Sequence, residues 1–140
     1  MVNLLIGPKG SGKTQKMIDL ANNSVKECDG TVTFIKKSHR ETSSLTHDIR
    51  VICMADYTAI KNIDEYIGFL YGMVSCNHDI QVIFIDGLLK HANISAENLP
   101  RFIGRLKSIS ERHGIEFFVS CSVEKNELKD LDLTDCKILN

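Results

Sequence analysis

Eight residues near the start of the chain, Gly7-Pro8-Lys9-Gly10-Ser11-Gly12-Lys13-Thr14, constrain the fold more than any other stretch. They follow VNLLI at positions 2–6, a continuous apolar run that reads as a strand buried on both faces. They precede TQKMIDLANNSVKE, where Met17, Ala21 and Val25 recur every four residues, the period of a helix burying one side. Glycines in the turn open backbone conformations closed to other residues and leave space beside the main chain. A buried strand, a glycine-rich turn and an amphipathic helix in direct succession point to an α/β sheet.

The rest of the chain keeps that rhythm. Asp29-Gly30 ends the first helix, and TVTFIKK (31–37) is β-branched and strand-like. HRETSSLTH (39–47) is a polar loop, and IRVICMA (49–55) is another strand. In NIDEYIGFLYGMVS (62–75), Ile63, Ile67, Leu70 and Val74 share a helix face, and Gly68 and Gly72 suggest close packing of that helix on the sheet. QVIFIDG (81–87) is a buried strand ending in an acid and a glycine. A helix follows over 96–114, with Phe102, Leu106 and Ile109 inward and Gly114 as its stop. IEFFVSCS (115–122) is the fifth strand, and CKILN (136–140) reads as a short edge strand after a charged connection. The expectation is one domain over residues 1–140: a three-layer sandwich with a mostly parallel sheet of five to six strands and helices on both faces. Its site belongs at the carboxyl ends of the strands.

Composition narrows the partners. A formal net charge of −1 gives no overall attraction to nucleic acid or an anionic membrane. No apolar run approaches the ~20 residues that cross a bilayer, and no leader-like segment opens the chain. Cys28, Cys53, Cys76, Cys121 and Cys136 show neither CxxC nor paired spacing, so they read as reduced thiols rather than a zinc set. A cytoplasmic location is expected.

The turn matches G-x-x-x-x-G-K-[ST] without a gap, the Walker A or P-loop pattern. Successive N–H groups from about Lys9 to Thr14, with the helix N-terminus behind them, are suited to curl around a β-phosphate. Gln15 continues that first helical turn. Lys13 supplies a charge toward the β- and γ-oxygens, and the Thr14 hydroxyl is placed to hold Mg²⁺. Pro8 donates no N–H and instead stiffens the start of the loop. The expected ligands are ATP or ADP with Mg²⁺, held by Gly7, Pro8, Lys9, Gly10, Ser11, Gly12, Lys13, Thr14 and Gln15.

Such a loop needs an acid at the tip of a buried strand, and Val82-Ile83-Phe84-Ile85-Asp86 provides one. Asp86 and Thr14 are the expected metal residues, and Lys13 and Asp86 the expected catalytic pair. The next residue is Gly87, not a carboxylate, so a base that activates water must come from elsewhere. Glu41, Asp48 and Glu97 are the candidates, each equally readable as a solvated acid. Ser120 and Ser122 are placed to sense a γ-phosphate or merely to turn the chain. Arg101, Arg105 and Arg112 lie on one side of their helix, as a solvated face, as an arginine donated across a subunit contact, or as a basic strip for a polyanion. The guanine signatures DxxG and [NT]KxD are missing after the metal strand and the fifth strand, which leaves adenine as the default base.

Over nearly its whole length the chain resembles a family of small bacterial P-loop proteins labelled as ATP-binding or, loosely, as twitching-motility (pilus-retraction) proteins. The features that carry the likeness are GPKGSGKT, HDIRVI, YIGFLYGMVSCNHDI and FIDGLLK. The resemblance implies a P-loop fold and ATP binding. True retraction motors share little beyond the phosphate site. The layout is also similar to type II thymidine kinase, but that family places a Glu after the metal-strand Asp and adds a zinc-bearing lasso, where this chain has Gly87 and no CxxC. The expected function is a nucleotide switch or assembly module with weak or partner-dependent ATP hydrolysis. An ATPase completed in trans within a homo-oligomer or by a protein partner stays open, as does a small-molecule kinase.

Overall fold

The computed structural model describes residues 1–39, 44–128, 132–134 and 136–140. In chain order the elements are β1 (Val2–Gly7), α1 (Lys13–Glu27), β2 (Thr31–Lys36), β3 (Arg50–Cys53), α2 (Ile63–Cys76), β4 (Ile80–Ile85), α3 (Leu99–His113), β5 (Glu116–Ser122), the single turn α4 (Lys125–Leu128) and β6 (Lys137–Ile138). Short 3-10 turns occupy Met54–Asp56, Leu88–Lys90 and Ala96–Asn98.

The strands form one six-stranded sheet in the order β3-β2-β4-β5-β1-β6, and every pairing is parallel. The chain moves one way along the sheet from β1 to β2, then back from β3 through β4 to β5. With a single handedness of crossover, that reversal puts α1 on one face and α2 and α3 on the other. Period-2 alternation then divides the strand residues between two cores. Leu5, Val32, Phe34, Val82 and Phe84 meet Met17, Ile18 and Ala21 of α1. Val2, Leu4, Ile35, Ile83, Ile85, Phe117 and Val119 meet Ile67, Leu70, Phe102, Leu106 and Ile109 from α2 and α3. On the α1 side Phe84 lies parallel to both neighbours, 5.9 Å from Phe34 and 4.7 Å from Phe118 between ring centroids. Burying an aromatic ring of this kind contributes about 1.5–3 kcal/mol. The α/β, three-layer expectation holds.

Several local expectations are refined. The predicted helix 96–114 divides into a 3-10 turn and α3, whose first turn carries Pro100 where a missing N–H costs nothing. Gly114, at φ 66°, stops it as expected. The strand expected over 49–55 ends at Cys53 in a 3-10 turn. Gly68 and Gly72 do not pack on the sheet: a Cβ at either would meet nothing within 4 Å. They lie on the face of α2 opposite Ile63, Ile67, Leu70 and Val74, so their spacing reflects the solvent side. The tight approach falls instead at Gly30, where a Cβ would collide with the Asp79 carbonyl oxygen and the Gln81 side chain. That carbonyl accepts the Thr31 N–H at 2.7 Å and joins β2 to the start of β4.

None of the five cysteines is in a disulfide. Burial pushes the Cys121 thiol up to about 12, which keeps it protonated and unreactive. Among the described residues, no helix is long and apolar enough to cross a membrane.

Candidate functional site

In an all-parallel sheet every strand delivers its following loop to the same edge, so the turns after β1, β4 and β5 converge. The turn after β1 is shaped by Gly10 and Gly12, both left-handed at φ 83° and 84°. A Cβ at either would meet nothing within 4 Å, so here the requirement is conformational, not spatial. At Gly7 a Cβ would stand 2.8 Å from Ser11 Oγ, so Ser11 would have to turn its hydroxyl away.

Gly12 is the N-cap of α1, supplies no capping side chain, and is followed by a first turn without an acid. The N–H groups that open a helix have no partner within it. At α1 they are left for an outside acceptor, and the helix dipole favours a negative one. The contrast with α2 is instructive. There the Asn62 side chain accepts from Glu65 N–H at 2.8 Å, which satisfies one helix-opening donor, and Glu65 Oε1 accepts from the N–H of Lys61 just before the cap at 2.8 Å. α2 thus has a side-chain cap and two acids in its first turn, whereas α1 has neither.

Within the turn, the Pro8 carbonyl accepts from both Ser11 N–H at 3.2 Å and Lys13 Nζ at 2.8 Å. Pro8 therefore contributes an acceptor as well as stiffness. The Ser11 N–H is engaged by it, so the run of donors expected from Lys9 to Thr14 is interrupted at that residue. Lys13 also reaches Ser11 Oγ at 3.3 Å and is buried. Burial draws its pKa below the usual lysine value, opposed by the nearby charge of Asp86. Lys9 is exposed at the tip. The Gln15 side chain turns away along the helix, donating to Asp19 Oδ1 at 3.0 Å, so only its backbone belongs to the cradle.

Asp86 extends the β4 ladder, its N–H donating to the Ile35 carbonyl at 2.9 Å. Its carboxylate is held from two sides. Thr14 Oγ1 donates to Oδ2 at 3.0 Å, and Ser120 Oγ donates to Oδ1 at 2.7 Å. Gly87, at φ 68°, turns its own N–H onto Ser120 Oγ at 2.8 Å. Ser120, nearly fully buried on β5, thus has its hydroxyl committed as both donor and acceptor. It orients Asp86 and is not a free phosphate sensor. Ser122 pairs in register with Gly7 at the root of the turn.

One supporting layer was not foreseen from the sequence. His91 is fully buried, and its Nε2 lies 2.9 Å from the Asp86 carbonyl oxygen. A carbonyl can only accept, so Nε2 carries the proton and Nδ1 accepts the Tyr66 hydroxyl at 3.2 Å. Tyr66 is itself buried, edge-on to Phe102 at 5.5 Å. The segment after Asp86 is therefore pinned to α2 through a neutral histidine. The hint in the sequence is a lone His five residues past the strand-ending acid, among Leu88, Leu89 and Ile94.

The candidate bases separate by topology. Asp48 precedes β3 and so lies at the amino edge of the sheet, away from the turn. Glu97 is exposed in the 3-10 turn before α3. Glu41 lies outside the described residues. Arg101 is paired with Asp64 of α2 at 3.0 Å on the solvent side, and Arg105 and Arg112 are exposed on α3. A group of unlike donors also meets beyond β2 and β3: His39, Cys53 and Asp56 present ligand atoms within 4.8 Å of one another, with His39 Nε2 2.8 Å from Asp56 Oδ1.

The donor set fits a hard cation and a phosphate chain. A threonine hydroxyl and a carboxylate, adjacent in space, are oxygen ligands of the kind Mg²⁺ takes, and the uncapped turn with its lysine suits an anion. No protein-family model matches the chain, and no curated protein matches it significantly, so the reading of this site rests on its own geometry.

Proposed function

We propose that this protein is a P-loop nucleotide-binding protein that takes ATP or ADP with Mg²⁺ at the turn 7–14, and that it works as a nucleotide switch or assembly module with weak intrinsic hydrolysis. The observation that carries the reading is the bare N-terminus of α1 beside Thr14 and Asp86, whose oxygens stand 3.0 Å apart. The backbone N–H groups of Gly12 to Gln15 and the Lys13 ammonium would bind the phosphates. Thr14 and Asp86 would hold Mg²⁺, which when bound supplies positive charge to the phosphate oxygens. The Lys13 ammonium is already held over the turn by the Pro8 carbonyl and Ser11 Oγ.

Weak hydrolysis follows from what surrounds Asp86. Gly87 replaces an adjacent carboxylate, Ser120 is committed, and both ring nitrogens of His91 are engaged. Among the described residues, none of the candidate bases is bonded to the Thr14–Asp86 pair. The test is ATP turnover measured across a range of protein concentrations. A low rate per molecule, constant with concentration, is expected. A rate that climbs with concentration contradicts intrinsic switch behaviour and favours an arginine supplied by a neighbouring copy.

A further inference from the structure

Beyond Asp86 the chain does something a plain connection does not need. Ala92 and Asn93 both adopt positive φ, 48° and 55°, a region that non-glycine residues seldom occupy and that alanine has no side-chain reason to enter. Asn93 Nδ2 then donates to the Lys61 carbonyl at 3.0 Å, tying this bend to the residue before the α2 cap. The result is a concavity of about 240 Å³ between the 90–93 bend and the stretch 54–61, with buried His91 in its wall. Three exposed lysines, Lys37, Lys61 and Lys90, are among its lining residues, with Tyr57 and Ile60 as apolar surface. Among the described residues no carboxylate lines it, and none of the three lysines forms an ion pair.

Three exposed cations around one hollow give it a positive potential that favours an anion, most strongly at low salt. Lysine offers a point charge with rotatable donors, which suits a phosphate group. The hollow is shallow and open on one side, a shape that suits a compact ligand with its phosphate seated among the lysines. The concave shape and the chain's net charge of −1 both argue against a nucleic-acid backbone.

We propose that this hollow is a second ligand site beside the first, at the same edge of the sheet, that binds a compact phosphate monoester through Lys37, Lys61 and Lys90, the stem of Lys90 lying close to Gly87. His91 connects the two: it lines the hollow and donates to the Asp86 carbonyl, while the Asp86 carboxylate accepts from Thr14. A ligand that settles the 90–93 bend therefore bears on the residue pair assigned to Mg²⁺. That coupling rests on the nucleotide reading above; the binding itself does not.

The test is an amide chemical-shift titration with ribose 5-phosphate, with ribose as the neutral control. It is run on Lys13→Ala protein, in which the phosphate turn is disabled, and on wild-type protein saturated with a non-hydrolysable ATP analogue and Mg²⁺. Saturating shifts are expected at Lys61, Ala92 and Asn93 in both samples, with none from ribose. Replacing exposed Lys37 and Lys61 together by Ala should weaken binding about tenfold or more, since each removes a charge-assisted contact, and should leave the analogue's affinity unchanged. Shifts confined to Gly10–Thr14, an equal response to ribose, indifference to the two substitutions, or displacement by a short oligonucleotide at lower concentration would each overturn the proposal. If the analogue fails to bind while the Lys13→Ala protein still titrates at Ala92 and Asn93, the nucleotide reading fails and this site stands.

Discussion

Acidification from pH 7 to 4.5 should cost the fold about 2 kcal/mol through His91 alone. Burial pulls its pKa from 6.5 down to about 4; the Asp86 carbonyl and the Asp86 charge oppose this, and the charges of Lys37 and Lys90 add to it. Because the folded value is the lower one, the unfolded chain takes up the proton first as pH falls. The contribution is fully present above about pH 7, is lost between 6.5 and about 4, and is constant below that. Over the whole window the loss approaches about 3 kcal/mol, at about 1.4 kcal/mol for each unit. Wild type and His91→Gln would be compared by urea denaturation at pH 7 and 4.5. Glutamine keeps an N–H donor for the Asp86 carbonyl and an acceptor for Tyr66 but does not titrate. The glutamine variant is expected to be somewhat less stable at pH 7 and distinctly less sensitive to acid. If both proteins lose the same stability between the two pH values, His91 is not held neutral by its surroundings and the bonding scheme around Asp86 is wrong.

Two further outcomes follow from single contacts. Gly30→Ala should destabilise the fold by about 1–3 kcal/mol in the same denaturation assay, because the added Cβ must displace the Asp79 carbonyl that joins β2 to β4; an unchanged midpoint would mean the two segments separate freely. Ser120→Ala strands the Gly87 N–H and frees one carboxylate oxygen of Asp86, at a cost of about 1–3 kcal/mol. It should also reduce the Mg²⁺ dependence of nucleotide binding, and a variant that matches wild type in both respects would remove Ser120 from the site.

Much of this architecture is legible because its signals are redundant. VNLLI and QVIFI are continuous apolar runs, and only a sheet covered on both faces has a use for them. The glycine-rich turn is equally plain: left-handed backbone requires Gly12, which the pattern specifies, and Gly10, which it leaves open. What the sequence hides is pairing across distance. Ser120 is 34 residues from Asp86, and nothing local distinguishes a serine that orients a carboxylate from one that faces a phosphate. His91 sits in a segment with no periodicity, so its bond to Tyr66 could not be derived from spacing. Gly68 and Gly72 are a different case, because the apolar residues of the same helix already place them on the outer face; there the glycine spacing was given more weight than the helix geometry. Asp48 was excluded only once β3 proved parallel, which sends the residue before it to the far edge.

The most direct test of the central claim is calorimetric titration of the folded protein with Mg-ATP, set against Lys13→Ala. The account predicts a single saturable site in the wild type. In the variant, binding weakens by about thirtyfold or more, the equivalent of losing one charge-assisted contact worth roughly 2–3 kcal/mol. Absence of measurable binding to either ATP or ADP with Mg²⁺, or an affinity that Lys13→Ala leaves unchanged, would contradict it.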